Sequence, residues 1–241
     1  MTMDDRTLFA DELLDRLDKK NDSFSIFGYA VYAIVILLVF AVFLFGFFIS
    51  FIKVDGGSML DTLEDGQFVI FQKRGYSLEH GDVITVKNAD PDEPKKLLIK
   101  RLIALSGDTF MFMKSENPHY VDLYLCKSGE THFTRCEEPY IRAEMLSSVD
   151  YKNFTVAPFI EYIEEIDITD EQSQNAQIRQ ILSESAVTVP QKSFLFLGDN
   201  RNISLDAREY GLQPTSKISG KALKYLEKTS FFHRFLTFLY N

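Results

Sequence analysis

An uncharged stretch of thirty residues, from Ser23 to Ile52, constrains this chain more than any other feature of its sequence. It is rich in Phe, Val, Ile and Leu and is bounded by Asp22 and Lys53. A bilayer core about 30 Å thick is crossed by about 20 apolar helical residues. A core helix would show a polar stripe, and a signal peptide would have an apolar stretch of only about 7–15 residues before small residues. Neither pattern is present, so we predict an uncleaved transmembrane helix at residues 23–52.

The basic residues on either side of this stretch predict its orientation. Arg6, Arg16, Lys19 and Lys20 precede it, whereas only Lys53 follows it closely. Lys and Arg near the ends of a span favour the cytoplasmic side. We therefore expect a single-pass protein with residues 1–22 in the cytoplasm and residues 53–241 on the other side of the membrane.

The composition argues against two classes of function. A net charge of −9 does not suit binding to nucleic acid, which depends on Lys and Arg. The four histidines are not at metal-ligand spacing from one another or from a cysteine, so no metal or other cofactor is expected. These histidines are His80, His119, His132 and His233. Cys126 and Cys136 could form a disulfide on the outer side or remain as two free thiols.

The outer part of the chain predicts a mainly β fold. Short runs rich in β-branched and aromatic residues, such as GQFVIFQKRG and GDVITVKN, end at Gly, Asn or Asp, as strands do. We assign residues 53–110 and 187–228 to a β core and residues 111–186 to an inserted, variable subdomain. Within this insert, residues 159–179 are acidic and carry isoleucines at helix-like spacing. The apolar tail, residues 229–241, suits either a helix lying on the membrane or a terminal helix packed on the domain.

Two segments carry side chains that could form a nucleophile and its base. Ser58 follows Gly56 and Gly57, and glycines let another backbone approach closely. A serine in this position is more often simply part of a turn. Lys100 lies in the apolar run LLIKRLIAL, where burial would lower its pKa and allow it to accept a proton. The competing interpretation is an edge-strand lysine whose amine reaches water.

A third segment, LGDNRNISLDAREYG at residues 197–211, follows an apolar strand and concentrates charged and polar side chains. Its opposite charges can pair, and the Ser204 hydroxyl could orient a neighbouring amine. Loops of this composition are usually structural turns, so the segment is a candidate for a supporting role.

In this order, the three segments resemble those of the bacterial type I signal peptidases, which are membrane-anchored serine proteases with a Ser/Lys dyad. The resemblance rests on GGSMLDTL, IKRLIALSGD and LGDNRNISLDAREYG. It implies a coiled antiparallel β-sheet catalytic core with an inserted α+β subdomain, preceded by one transmembrane helix.

The resemblance also assigns roles to individual residues. Ser58 would be the nucleophile, with its N–H in the oxyanion hole, and Lys100 the general base. The remaining assignments are Ser204 as a hydroxyl bonded to that lysine, Asp206 and Arg208 as a supporting ion pair, Asp199 and Arg201 as residues that hold the loop, and Gly57 and Met59 as substrate contacts.

Several positions depart from the usual pattern of the family. Asp61 and Ser106 stand where proline is common, and Asn202-Ile203 replaces Asp-Asn. Gly56 stands where some members carry a serine that donates a second oxyanion hydrogen bond. Neither residue of the dyad is lost.

The resemblance implies cleavage of exported preproteins after A-x-A-like sites, at the bacterial cytoplasmic membrane, with the lipid bilayer as the other partner. Two alternatives stay open at this point. One is a specialised Ser/Lys peptidase for a narrow set of surface proteins such as pilus components. The other is a non-catalytic assembly factor that binds exported chains in the same groove.

Overall fold

A long apolar helix and a β domain make up the chain. The computed structural model describes residues 3–60, 62–87, 96–170 and 174–240, with the backbone alone described for residues 3–15 and 17–26. Helix α1 covers Met3–Phe48, and its segment Phe27–Phe48 has a mean hydropathy of 3.0 and contains no buried residue. It is long and apolar enough to cross a membrane. The helix ends four residues before the predicted boundary, because Ile49–Lys53 forms strand β1 instead.

The chain divides into two units, residues 1–48 and residues 49–241. The elements of this second unit follow in chain order. They are β1 (Ile49–Lys53), β2 (Phe68–Gln72), β3 (Val83–Lys87), β4 (Leu97–Ala104), β5 (Thr109–Lys114), β6 (Val121–Cys126), β7 (Thr134–Arg135), β8 (Val156–Ala157), α2 (Ala176–Ser185), β9 (Val187–Thr188), β10 (Ser193–Leu197), α3 (Ala207–Tyr210), β11 (Gln213–Pro214), β12 (Ile218–Leu226) and α4 (Phe231–Tyr240).

The strands form two sheets. The first sheet is antiparallel, with the order β1-β2-β12-β3-β4-β10-β11. The second has the order β7-β6-β5-β8, and β9 also pairs with β5; only its β5–β8 pairing is parallel. The prediction of a mainly β fold with one N-terminal apolar helix is confirmed.

The main hydrophobic core joins the two sheets. Leu102 and Phe196 from the first sheet pack in one cluster with Phe110, Phe112 and Leu123 from the second. Residues 111–186 therefore supply most of the second sheet and share its core with the strands on both sides of them in the sequence. Burial of such large side chains stabilises each by about 1.5–3 kcal/mol.

The helix suggested by the isoleucine spacing in residues 159–179 does not form. Ile160 and Ile163 are buried in a smaller cluster of their own, but the backbone there makes only a short 3-10 turn at Ile163–Glu165. Tyr162 has a φ of 61°, in the left-handed region, which interrupts a right-handed helix. Helix α2 begins later, where the Asn175 side chain accepts a hydrogen bond from the Ile178 N–H.

Candidate active site

Ser58 lies in a tight turn between β1 and β2. The turn is closed by hydrogen bonds from the Leu60 N–H to the Gly57 carbonyl (3.1 Å) and from the Leu63 N–H to the Met59 carbonyl (2.7 Å). Met59 and Leu63 are buried in an apolar cluster beneath it. These two side chains fix the turn, while Ser58 itself remains partly exposed.

The two residues predicted to contact substrate differ in exposure. Met59 is 1% exposed and belongs to the core, so its side chain is available to no ligand in this structure. Gly57 is partly exposed. Gly56 has a φ of 86°, where any L side chain is strained, which gives a local reason for glycine at this position. Asp61 lies outside the described residues.

Lys100 is buried in the middle of β4, opposite Ile84 of β3. Only 3% of the residue is exposed, so the prediction of burial is confirmed and the edge-strand interpretation is wrong. Desolvation lowers the pKa of Lys100 to about 8; Asp206 and Asp199 oppose this shift, and Arg208 adds to it. The amine can therefore lose its proton close to neutral pH.

Gly198 brings the three predicted segments together. Leu197 pairs with Arg101, and continuing this antiparallel register by one residue places Gly198 next to Lys100. A Cβ atom added at Gly198 would lie 2.5 Å from the Ser58 carbonyl oxygen and still closer to the Ser204 hydroxyl. The Ser58 carbonyl and the Ser204 side chain therefore pack against Gly198, which leaves no room for a side chain there, and the continued register puts Lys100 opposite the same residue.

Asn200 holds the Ser58 turn against this loop. Its N–H donates to the Ser58 carbonyl (3.0 Å), and its Nδ2 donates to the Gly57 carbonyl (3.2 Å). These two hydrogen bonds from Asn200 hold the Ser58 turn against the loop that follows β10.

Asp199 connects the same loop to the strand of Lys100. It accepts hydrogen bonds from Arg101 Nε (2.8 Å) and Nη2 (2.6 Å), and from the Thr62 hydroxyl (2.5 Å). The guanidinium group of Arg101 also lies 3.8 Å from the ring centroid of Tyr140. This buried, charge-assisted cluster joins the turn, β4 and the loop.

Arg201 is buried and pairs with Glu138, which comes from the insert. Its Nη1 donates to Glu138 Oε2 (2.7 Å), its Nη2 donates to Glu138 Oε1, and its Nε donates to the Gly198 carbonyl (2.9 Å). The side chains of Asp199 and Arg201 thus hold the loop through different partners, and the Arg201 N–H also donates to the Asp199 carbonyl (3.0 Å).

Asp206 and Arg208 form the expected ion pair. Arg208 Nε and Nη2 donate to the two carboxylate oxygens of Asp206, both at 2.9 Å. The same carboxylate accepts from the Gly198 N–H (3.1 Å) and caps α3. The pair therefore holds Gly198 by its N–H, while Arg201 holds it by its carbonyl.

The Ser204 hydroxyl is buried and makes no hydrogen bond within the described part of the chain. The bond to Lys100 that the resemblance implies is thus not formed in this structure, although Ser204 reaches Gly198 beside that lysine. A buried hydroxyl without a partner costs about 1–3 kcal/mol, which favours a nearby group that can pair with it.

The loop residues that depart from the family pattern make specific contacts. Asn202 accepts from the Leu146 N–H (2.9 Å) and donates to the Glu144 carbonyl (3.1 Å), so it attaches the loop to the insert. The Ser106 hydroxyl donates to the Ser193 carbonyl (3.2 Å). Ile203 is exposed, and its side chain lies close to Gly57. Cys126 and Cys136 are both free thiols.

Sequence patterns gave no role to several residues that hold the site, which are Thr62, Arg101, Glu138, Tyr140, Gly198 and Asn200. Gly198 and Asn200 were inside a recognised segment, and Arg101 was next to Lys100. Glu138 and Tyr140 bond to each other, but local patterns could not link them to the site, because Arg201 and Arg101 lie more than 35 residues away from them in the sequence.

Comparison with known proteins gives one consistent family. The family model described as signal peptidase, peptidase S26, matches residues 28–226. Signal peptidase I of Streptococcus pneumoniae (strain TIGR4) is 27% identical over 190 residues, covering 73% of this chain and 81% of its own. Signal peptidase IB of Staphylococcus aureus (strain Mu50) is 26% identical over 194 residues, covering 78% and 84%.

Another relative and one solved structure also match. Signal peptidase I of Pseudomonas aeruginosa is 26% identical over 202 residues, covering 73% of this chain and 64% of its own. A crystal structure of a signal peptidase I from Enterococcus faecalis is 17% identical, covers 63% of this chain and all of its own, and gives a TM-score of 0.35.

Proposed function

This chain belongs to the signal peptidase family, peptidase S26, and on that premise we propose that it cleaves signal peptides from exported preproteins with Ser58 as nucleophile and Lys100 as general base. It is a serine peptidase, a hydrolase of the signal peptidase I type. The non-catalytic assembly factor is therefore set aside. The specialised peptidase remains as a question of substrate range.

The chemistry begins with the neutral amine of Lys100. Ser58 Oγ attacks the carbonyl carbon of the scissile bond, and its proton passes to Lys100 Nζ. The Ser58 N–H donates to the oxygen on which negative charge develops. Collapse of the tetrahedral intermediate breaks the C–N bond, and Lys100 returns the proton to the leaving amine. Water then attacks the acyl-enzyme while Lys100 Nζ takes a proton from it. The bond between the acyl carbon and Ser58 Oγ breaks, Lys100 returns the proton to Oγ, and the signal peptide leaves with a new carboxylate.

Ser204 has an orienting role in this proposal. In this proposal the buried Ser204 hydroxyl, which has no partner within the described residues, pairs with the Lys100 amine and aims it at Ser58. Asp206 and Arg208 keep Gly198 and α3 in place. The charge of Asp206 raises the pKa of Lys100, and the charge of Arg208 lowers it. These residues position the dyad and do not touch the substrate.

The substrate is an extended segment of a preprotein with small side chains at the residue before the cut and two before that. An extended peptide satisfies its backbone by lying along a strand edge, and alternate side chains then enter pockets. The catalytic domain would face the outer side of the cytoplasmic membrane, with residues 1–22 inside. Enzyme and substrate are then both held at the surface where signal sequences leave the bilayer, which raises their effective concentration.

One observation carries the proposal: Lys100, which is 3% exposed, lies opposite Gly198 when the β4–β10 register is continued by one residue, and Gly198 packs against the Ser58 carbonyl and the Ser204 side chain. Burying an amine on a sheet without a carboxylate bonded to it is costly. This burial suits an enzyme that uses a neutral lysine as the base for a serine hydroxyl, because burial lowers the pKa of the lysine.

The test is cleavage of a secretory preprotein by the full chain in detergent, with the new N-terminus sequenced. Ser58→Ala and Lys100→Met should abolish cleavage, whereas the exposed controls Ser216→Ala and Lys114→Met should cut like wild type. Cutting by either dyad variant at the wild-type rate would overturn the assignment. Failure of wild type on several preproteins, with cleavage of a surface-protein precursor, would favour the specialised peptidase.

A further inference from the structure

Helix α4 packs on the β domain through one side. His233 and Leu236 are buried there, in a cluster with Phe68 and Leu226. The His233 ring lies edge-on to Phe68, with centroids 5.2 Å apart, and His233 Nε2 is 3.2 Å from the Gly66 carbonyl oxygen. This side alone accounts for the attachment of the helix to the domain.

The opposite side of α4 is also apolar, but nothing within the described residues covers it. Phe231, Phe235 and Phe238 follow one another at spacings of four and three, so they share one face of the helix. They are 83%, 47% and 80% exposed. An amphipathic helix at a water-facing surface would carry polar residues here. A face of three aromatic rings indicates a binding surface instead.

Charge favours a lipid surface over a protein groove. No acidic residue occurs from Lys228 to the end of the chain, although the whole chain has 35 of them. Arg234 is exposed and lies beside the aromatic stripe. Helices that lie in the membrane interface combine Phe and Leu on one face with basic residues next to it.

The contacts of α4 with β1 also favour a lipid surface as the occupant. Phe232 packs against Phe51 of β1, with ring centroids 5.7 Å apart, and the Tyr240 hydroxyl donates to the Phe51 carbonyl (3.4 Å). Phe51 follows Phe48, the last residue of the candidate membrane span, by three residues, which is at most about 11 Å of extended chain. Helix α4 is thus fastened to the strand that leaves the membrane.

We propose that α4 is a second membrane contact, lying in the headgroup region of the bilayer with Phe231, Phe235 and Phe238 inserted. The family match ends at Leu226, before this helix begins, so the contact is a feature of this chain outside the matched region. Together with α1 it fixes the β domain at two points and so restricts its rotation above the membrane. This inference does not depend on the proposed catalytic residues.

The chain contains no Trp, so a single introduced Trp is a unique fluorescent reporter. The experiment uses the full-length chain in vesicles of phosphatidylcholine and phosphatidylglycerol, with and without lipids brominated near the headgroup end of their acyl chains. Phe238→Trp places the reporter on the aromatic stripe. Tyr162→Trp is the matched control, because Tyr162 is an exposed aromatic residue of the insert at 66%.

We expect the Phe238→Trp emission to be blue-shifted and quenched about twofold or more by the brominated lipid, and the Tyr162→Trp emission to be unchanged. Equal quenching of the two reporters, or none in either, would overturn the proposal. Blue-shifted emission at Phe238→Trp without lipid quenching would also overturn it and would indicate a second protein chain as the occupant. Phe231→Trp repeats the test about two turns of the helix further from the C-terminus.

Discussion

The guanidinium group of Arg201 donates to both carboxylate oxygens of Glu138. Arg201 belongs to the loop after β10, which also contacts Ser58, whereas Glu138 belongs to the insert. Neither side chain is more than 8% exposed, so the pair is largely removed from water. The insert is therefore part of the structure that holds the active-site loop.

Replacing Glu138 with Ala should be strongly destabilising. It leaves the charge of Arg201 buried without its partner, and breaking such a pair costs about 3–5 kcal/mol. Chemical denaturation of the full chain in detergent measures the change. The neighbouring Glu137 is exposed, so Glu137→Ala is the matched control and should be close to neutral. Equal stability of the two variants would contradict the role given to the pair.

Gly198→Ala should impair activity more than stability. The new methyl group would press on the Ser58 carbonyl and the Ser204 hydroxyl, and displacement of reacting groups by about 1 Å can cost about a hundredfold in rate. Preprotein cleavage measures the loss, and circular dichroism tests whether the fold is kept. Gly28→Ala is the control, because an added Cβ there meets nothing within 4 Å. Wild-type activity of Gly198→Ala would show that the three segments do not meet as described.

Patterns in short runs of sequence were enough to predict the features that depend only on neighbouring residues. The apolar helix, the buried strand of Lys100 and the loop after β10 were all indicated by runs of residues. Hydropathy could not place the end of α1, because Ile49–Ile52 is as apolar as the helix but pairs with β2. The spacing of apolar residues likewise could not predict the backbone around Ile160 and Ile163, which are buried although the chain there does not form an α-helix.

The contacts that assemble the site were not predictable in this way. Thr62, Arg101 and Asp199 come from three separate segments, and their cluster exists only once the sheet has brought β4 and β10 together. Glu138 likewise reaches its partner Arg201 only in the folded chain. One sequence shows which side chains are present, but pairing at long range depends on the whole fold.

The two cysteines should react slowly in the folded protein. Burial raises the pKa of the Cys136 thiol to about 12, with the charge of Glu138 adding to the effect, and burial also raises the pKa of Cys126. Little thiolate is then present for reaction. A chromogenic disulfide reagent should detect two thiols per chain only after denaturation. Absence of both thiols in the denatured, unreduced protein would instead reveal a disulfide.

The pH profile of cleavage should report on Lys100. Because the neutral amine is the active form, kcat/KM should rise about tenfold per pH unit at low pH. It should level off above the lysine pKa of about 8. Rates on one preprotein across the pH range, with stability checked at each point, give the profile. A single transition at the ordinary histidine pKa of about 6.5 would contradict the assignment of Lys100 as base.

Lys100→Met should make the protein more stable near neutral pH while removing activity. The folded chain releases the Lys100 proton at a pKa of about 8, whereas the ordinary value is 10.5. Between these values the unfolded state binds more protons, so the stability of the wild type rises with pH. Below pH 8 the wild type keeps a buried ammonium group, at a cost of about 3 kcal/mol that methionine avoids.

The advantage of Lys100→Met over wild type should therefore be largest below pH 8 and should disappear as the pH approaches 10.5. Denaturation of both proteins in detergent at several pH values measures this difference, in which the other titrating groups cancel. Lys114→Met, at an exposed lysine, should show no such pH dependence. A constant difference between Lys100→Met and wild type would mean that the pKa of Lys100 is the same in the folded and unfolded chain, and that burial does not prepare this amine to act as a base.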